Sequence, residues 1–239
     1  MGKRPKVGPR MAKKVIYLPL ALPFFLVLLA LAGIFLIFLP IFAWQAFAKL
    51  GFSPLAAFSI LPLSLLGSVV NIPLHSVYSE HEVLRARIAS FYGLLYPQLV
   101  RERRVRRTVI AINLGGAVIP LVVSVVLMAR FWRALAWKFV AGTSIVALLC
   151  YKLARVAPNV GIVMPGFIPP LASATVALLL ARDLAPPLAY VSGVGGVLIG
   201  ADLLNLGKVS KLGAPILSIG GAGTFDGIFL TGLISVLLV

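Results

Sequence analysis

Apolar runs broken by short, mostly basic stretches recur from Val15 to Val239, and they have the length of membrane-spanning helices, about 20 residues each. The first extends from Val15 to Phe47 with Gln45 as its one strongly polar residue. A secretory leader has an apolar core of only about 7–15 residues, so this run reads as a retained first span and Ala46-Phe47-Ala48 not as a cleavage site. A second run, from about Leu55 to Val77, carries Pro62, Ser64, Ser68, Asn71, Pro73 and His75. Proline inside a span frees a carbonyl that the protein interior or water must satisfy, so Asn71-Ile-Pro73-Leu74 predicts an inward-facing kink. Helix packing through small and polar residues accounts for the same pattern. Further spans are drawn at Thr108–Ala129, Ala136–Leu153, roughly Val160–Ala181, Pro186–Leu206, and a last one ending at Val239. The prolines of the Met164–Pro170 stretch could break the span they lie in.

Between the second and third runs, residues 78–107 are charged, yet Leu84, Ile88, Phe91, Leu95 and Leu99 recur at helical spacing. That spacing predicts an amphipathic helix flat on the cytoplasmic interface. Arg101, Arg103, Arg104, Arg106 and Arg107 would hold it to anionic lipid headgroups.

Composition agrees with the pattern: 61% hydrophobic residues, 12% charged and a mean hydropathy of +1.07 describe a chain whose solvent is lipid. The expectation is an all-α, polytopic membrane bundle of about seven spans plus one interfacial helix, a single domain over residues 1–239. The net charge of +16 sits in the breaks between apolar runs, which points to topology and lipid and away from nucleic acid. Of the 22 Lys and Arg, all but Lys49, Arg130, Arg133, Lys138 and Arg182 fall inside if the basic tail, residues 1–14, is cytoplasmic. The positive-inside bias then places the chain in the cell membrane with its carboxyl terminus outside. Cys150 is the one cysteine, so no intramolecular disulfide forms. His75, and His81 between Glu80 and Glu82, lack the spacing of a convergent ligand set, and no P-loop is present; neither metal nor cofactor is expected.

Two acids, Asp202 and Asp226, stand in the apolar C-terminal third, where a carboxylate is costly and marks a functional site by default. Under this topology Asp202 lies about one turn inside the cytoplasmic face. Gly213-Ala-Pro215 and Gly220-Gly221-Ala222-Gly223 are poor helix interior, so the last span is expected to be preceded by an extended or re-entrant segment. With Thr224 as cap, a helix of about 24 Å would run to Val239 and carry Asp226 in its first turn, at a depth similar to Asp202. The stripe Ser192, Gly196, Gly200 permits close helix approach on the sixth span, with Gly195 above Asp202. Two acids across residues 186–239 could share one proton, one polarising a carbonyl while the other deprotonates a water. Gly221, Gly223, Thr224, Gly227, Asn205, Asn71, Pro165 and Pro170 are the expected lining residues. Two other functions fit the same features: an ion- or proton-coupled transporter, through the broken last span and paired acids, and a non-catalytic pair joining two helices.

The segment from Gly221-Ala-Gly223-Thr-Phe-Asp226-Gly to the apolar helix after it resembles the GxGD span of presenilins and signal peptide peptidases. Here two residues separate Gly223 from the acid, and Ala201 stands where that family carries tyrosine. The resemblance implies an intramembrane aspartyl protease in which Asp202 and Asp226 are catalytic and the substrates are transmembrane peptides. Taken whole, the chain is similar to an uncharacterised family of bacterial and archaeal multi-pass proteins with the same Asn71-Ile-Pro-Leu, Gly-Ala-Asp202 and Gly-Thr-Phe-Asp226-Gly segments, a likeness that names no reaction.

Overall fold

The computed structural model describes residues 21–91, 94–157, 161–209, 216–221 and 226–239. Gly223 and Thr224 lie outside them. The chain divides into two units, Met1–Leu39 and Pro40–Val239. The first carries most of helix α1 (Ala21–Lys49), where Phe24, Phe25, Leu29 and Leu31 are exposed.

In the second unit α1 ends at a turn in which Gly51 takes φ 77°, a left-handed conformation open to glycine. Helix α2 (Pro54–Gly67) follows, with Ser53 as N-cap accepting from the Ala56 amide at 3.3 Å and Pro54 in the first turn, where its missing N–H costs nothing. It stops well short of Val77, so Asn71-Ile-Pro73-Leu74 is not a kink in a helix. Those residues open strand β1 (Asn71–Phe91), and the register slips between Pro73 and His75, where proline has no amide to give to the ladder.

Strand β1 pairs antiparallel with β2 (Leu94–Asn113), which replaces the amphipathic helix expected over residues 78–107. A helix there would have to pass Gly93 and Pro97, a poor helix former and a residue unable to donate. The flanks are rich in β-branched residues (Val77, Val105, Thr108, Val109, Ile110, Ile112), and the register sets Glu82 opposite Arg103. A short strand, β5 (Ile216–Ile219), adds parallel to β2 along Val109–Ile112 and completes a three-stranded sheet. The fold is therefore mostly helical with a small sheet, not all-α.

After β2 comes a π-helical turn (Leu114–Val118) and then α3 (Ile119–Leu153). Gly115 lies against α2 so closely that a Cβ would fall onto the Ser64 carbonyl. Farther along, Arg130 Nη1 donates to the Gly51 carbonyl at 2.7 Å, so the first part of α3 runs antiparallel to α2. The break expected between the spans ending at Ala129 and beginning at Ala136 is instead helical. The helix is not straight, however. The π turn that leads into it touches Gly220 and α7 (Gly227–Leu237), while Ala147 and Cys150 near its end lie by Gly200 and Asp202. A straight rod would hold Ala117 and Cys150 about 50 Å apart. The six-residue step from Gly220 to Asp226 reaches at most about 21 Å, so α3 must bend. The limb before the bend lies along α2 from Gly115 to Arg130.

Two strands of three residues, β3 (Arg155–Ala157) and β4 (Gly161–Val163), connect α3 to α4 (Ile168–Ala181). A 3-10 turn (Arg182–Leu184) reverses the chain into α5 (Ala185–Val197), the most enclosed helix, with all but Pro186 and Gly195 of its residues buried. Ser192, Gly196 and Gly200 form the expected close-packing stripe, but it faces α3. A Cβ on Gly196 would overlap Val146, and one on Gly200 the Ala147 carbonyl; Gly195 meets Thr143. The interior holds large side chains such as Phe47, Phe139, Tyr190 and Phe229, with small residues and hydroxyls where helices approach closely. Ser124, Ser173, Ser192 and Ser235 are buried, each donating to a carbonyl three or four residues back. Large apolar side chains such as Leu66, Val125, Leu171 and Leu179 point outward. Small residues at the close approaches and bulky apolar ones on the outer surface suit helices that associate in lipid. Two helical stretches, Leu114–Leu153 and Ile168–Lys208, are long and apolar enough to cross a membrane.

Gly200→Val should lower stability by about 1–3 kcal/mol, since the added carbons meet backbone and not a side chain that can yield. Gly207→Ala, where a Cβ meets open space, should leave the melting temperature in detergent unchanged.

Candidate active site

Helix α7 runs antiparallel to α5, and three glycines record the register. A Cβ on Gly193 would meet Thr231 Cγ2 at 2.9 Å, one on Gly232 would meet Val194 Cγ2 at 2.7 Å, and one on Gly227 would lie 3.7 Å from Val197 Cγ1. The face of α5 that α7 covers is thus Tyr190, Gly193, Val194 and Val197, next to the stripe that holds α3. The start of α7 lies beside the end of α5, which continues into a π-helical turn (Leu198–Asp202), a 3-10 turn (Leu203–Asn205) and the short helix α6 (Leu206–Val209). Continuing that register puts Asp202 about one turn beyond the level of Asp226, about 6 Å along the axis. Asp202 is half-buried, and the Asp226 carboxylate acts on it electrostatically. Cys150, buried on α3, lies in the field of the Asp202 carboxylate.

Each acid has a local backbone reason for its place. Asp226 is itself the N-cap of α7: its backbone is extended (φ −70°, ψ 150°), and its carboxylate accepts from the Ile228 amide at 2.9 Å. The cap is not Thr224, and α7 is 11 residues long, about 16 Å where about 24 Å was expected. Aspartate caps as well as serine, and its charge suits the positive end of the helix dipole. The segment ahead of it is extended, as the glycines imply, at β5. Gly220 turns with φ 69°, packed so tightly on Gly116 and Ala117 that a Cβ would lie 2.7 Å from the Ala117 nitrogen. Gly221 closes that turn, its amide donating to the Ser218 carbonyl at 3.2 Å.

Asp202 ends the π turn, a place where the backbone ladder is interrupted and carbonyls are left over. Asn205 collects them: its Nδ2 donates to Gly200 O at 3.1 Å and Ala201 O at 3.0 Å. Its Oδ1 accepts from Lys208 Nζ at 2.8 Å, and that ammonium lies 4.8 Å from the centre of the Tyr151 ring. Asn205 is therefore buried and turned onto its own helix, supporting the backbone of Asp202.

Asn71 is placed in a second polar cluster. Its Oδ1 accepts from Asn113 Nδ2 at 3.1 Å and from the Ser218 hydroxyl, so β1, β2 and β5 are joined at one point. Asn113 also donates to Ser68 O at 2.7 Å and caps the following π turn by accepting from the Gly116 amide at 2.8 Å. The sequence reading missed Asn113 and Ser218, although an asparagine before Leu-Gly-Gly is a capping signal. The pairing of Ser173 with Gly193 sets the start of α4 at the acid end. Pro170 is buried there at about the level of Gly196, while Pro165 is exposed in the loop ahead. Gly227 packs on α5. His75 is exposed on β1, and the side chain of His81 lies outside the described residues.

The arrangement can hold two carboxyl groups at one end of a tightly packed bundle, one fixed by a helix cap and the other by a π turn with its own amide support. Asp226→Ala should cost about 1 kcal/mol in thermal unfolding through the lost cap, whereas Asp226→Asn should stay within a few tenths of wild type.

No curated protein and no solved structure matches the chain. Residues 65–238, from the end of α2 through α7, match the family model described as Protein of unknown function (DUF1614), and the chain belongs to that family.

Proposed function

We propose that this chain is a multi-pass membrane protein in which Asp202 and Asp226 form a hydrolytic pair of the intramembrane aspartyl type, cleaving peptide bonds of membrane segments. One observation carries it: α5 and α7 deliver the two carboxylates to the same end of the bundle, close enough for one to act on the other. In that arrangement the pair shares one proton, one group polarising the scissile carbonyl and the other taking a proton from water. The likeness of Gly221–Gly227 to the GxGD span of presenilins and signal peptide peptidases supports the same chemistry. Pro170 and the turn at Gly220 and Gly221 would border the pair; the expected lining residues Gly223 and Thr224 lie outside the described residues.

Seven passes are part of this reading: α1, α2, the two limbs of α3, α4, α5 and α7. From α2 onward the packing supports alternating directions. Arg130 meets the Gly51 carbonyl, Lys49 Nζ meets the Val239 carbonyl at 3.5 Å, and Arg182 lies in the α4–α5 turn. Lys152 in the last turn of α3, Arg155 just after it, and Lys208 beyond α5 lie near the acids. That sorting makes the acid end cytoplasmic, with the amino terminus cytoplasmic and the carboxyl terminus outside. Helices as short as α7 fit where the bilayer thins locally. Arg101–Arg107 would meet anionic lipid from β2, since charge attraction does not depend on a helix.

Asp226 as a helix cap supports a second reading, in which the pair is structural. Conservative variants separate the two. Purified protein in proteoliposomes should cleave transmembrane peptides, and Asp202→Asn or Asp226→Asn should each lower the rate by at least about 100-fold with melting temperature unchanged. An Asp226→Asn variant as active as wild type would leave Asp226 a cap alone. Solute or proton flux into sealed vesicles without cleavage would point to a transporter.

A further inference from the structure

The stretch from Arg130 to Lys138 is unexplained by the acid site. It sits at the opposite end of the bundle, beside the Gly51 turn, and holds three of the five cations that a positive-inside chain leaves on this side. Two tryptophans are interleaved with them, Trp132 at 54% and Trp137 at 63% exposed. Exposed indoles beside cations are the composition of a membrane–water boundary, where the ring sits at headgroup depth and the N–H stays wet.

The cations have different local ties. Arg130 is held by the Gly51 carbonyl, with its guanidinium 5.8 Å from the Phe131 ring centre. Lys138 lies 5.8 Å from the Trp137 ring centre, a contact that leaves its ammonium donors open to a second partner. Arg133 is exposed. Residues 129–134 also border a hollow of about 370 Å³.

We infer that the bend of α3 is an interfacial clamp for anionic phospholipid on the non-cytoplasmic face, with Trp132 and Trp137 in the headgroup layer and Arg133 and Lys138 on the lipid phosphate. The occupant follows from charge and depth together: cations select an anion, and exposed indoles select one attached to an apolar layer. A straight α3 crossing the bilayer would instead bury the same residues near the midplane, where cations are costly. The inference rests on the membrane reading above and not on hydrolysis.

The test uses the full-length protein in nanodiscs of phosphatidylglycerol or phosphatidylcholine. In a Trp44→Phe background, with Trp132 or Trp137 as the single remaining tryptophan, lipids brominated near the headgroup should quench more strongly than lipids brominated near the chain end. Retention of phosphatidylglycerol over phosphatidylcholine on purification should fall at least about fivefold in Arg133→Gln/Lys138→Gln. It should be unchanged in Asp202→Asn/Asp226→Asn, so failure of the hydrolytic reading would not touch it. Stronger quenching from the chain end, or equal retention of the two lipids by wild type, would overturn the clamp while leaving the protein in the membrane. No quenching by either lipid would overturn both this and the membrane reading.

Discussion

The close approach of α5 to α3 is the contact on which the other placements depend. Gly196 and Gly200 let the Val146–Ala147 backbone come to a distance that any side chain would forbid. In a bilayer, where the proposed reading puts these helices, apolar surface gains little by leaving its surroundings, so helices are held by dispersion and by hydrogen bonds that need short separations. Glycine supplies the separation, and the hydroxyls of Ser124, Ser173, Ser192 and Ser235 avoid the cost of an unpaired donor by returning to their own helices. Once α5 is fixed against α3, its neighbouring face is committed to α7, and the ends of both helices are committed with it.

Polar residues then organise the end of the bundle where the acids lie. Asn113 serves three elements at once, receiving the Gly116 amide while donating to Ser68 and Asn71. Through Ser218 the same cluster fixes β5, and the tight turn at Gly220 sends the chain toward Asp226. The position of one acid is therefore tied to the base of a hairpin more than a hundred residues earlier in the chain. The other acid depends on Asn205, three residues away on its own helix. One site is built from a long-range assembly and a local one.

The sequence made much of this legible. Apolar runs separated by cations located α1, α4 and α5, and glycine content identified the extended approach to α7. Spacing alone put Gly196 and Gly200 on one stripe, but which neighbour that stripe would face depends on how helices are arranged, and α3 took it. The helical spacing of Leu84, Ile88 and Phe91 was a poor guide because Gly93 and Pro97 interrupt the only helix it could build. The cap at Asp226 was misplaced by two residues, since threonine and aspartate are both good caps and only the backbone conformation chooses between them. A bend within an unbroken run of good helix formers, as in α3, leaves little trace in periodicity. The cations there mark it only when topology is already known.

The π turn from Leu198 to Asp202 gives the first acid an unusual kind of address. Such a turn carries one residue more than an α-helical turn, so the direction of everything after it is set by a count and not by a side chain. Shortening the turn by one residue would swing the following side chains about 100° around the helix while leaving the packing of α5 above it intact. The orientation of Asp202 is therefore sensitive to a single insertion or deletion in that turn, even one that leaves Asp202 itself in place.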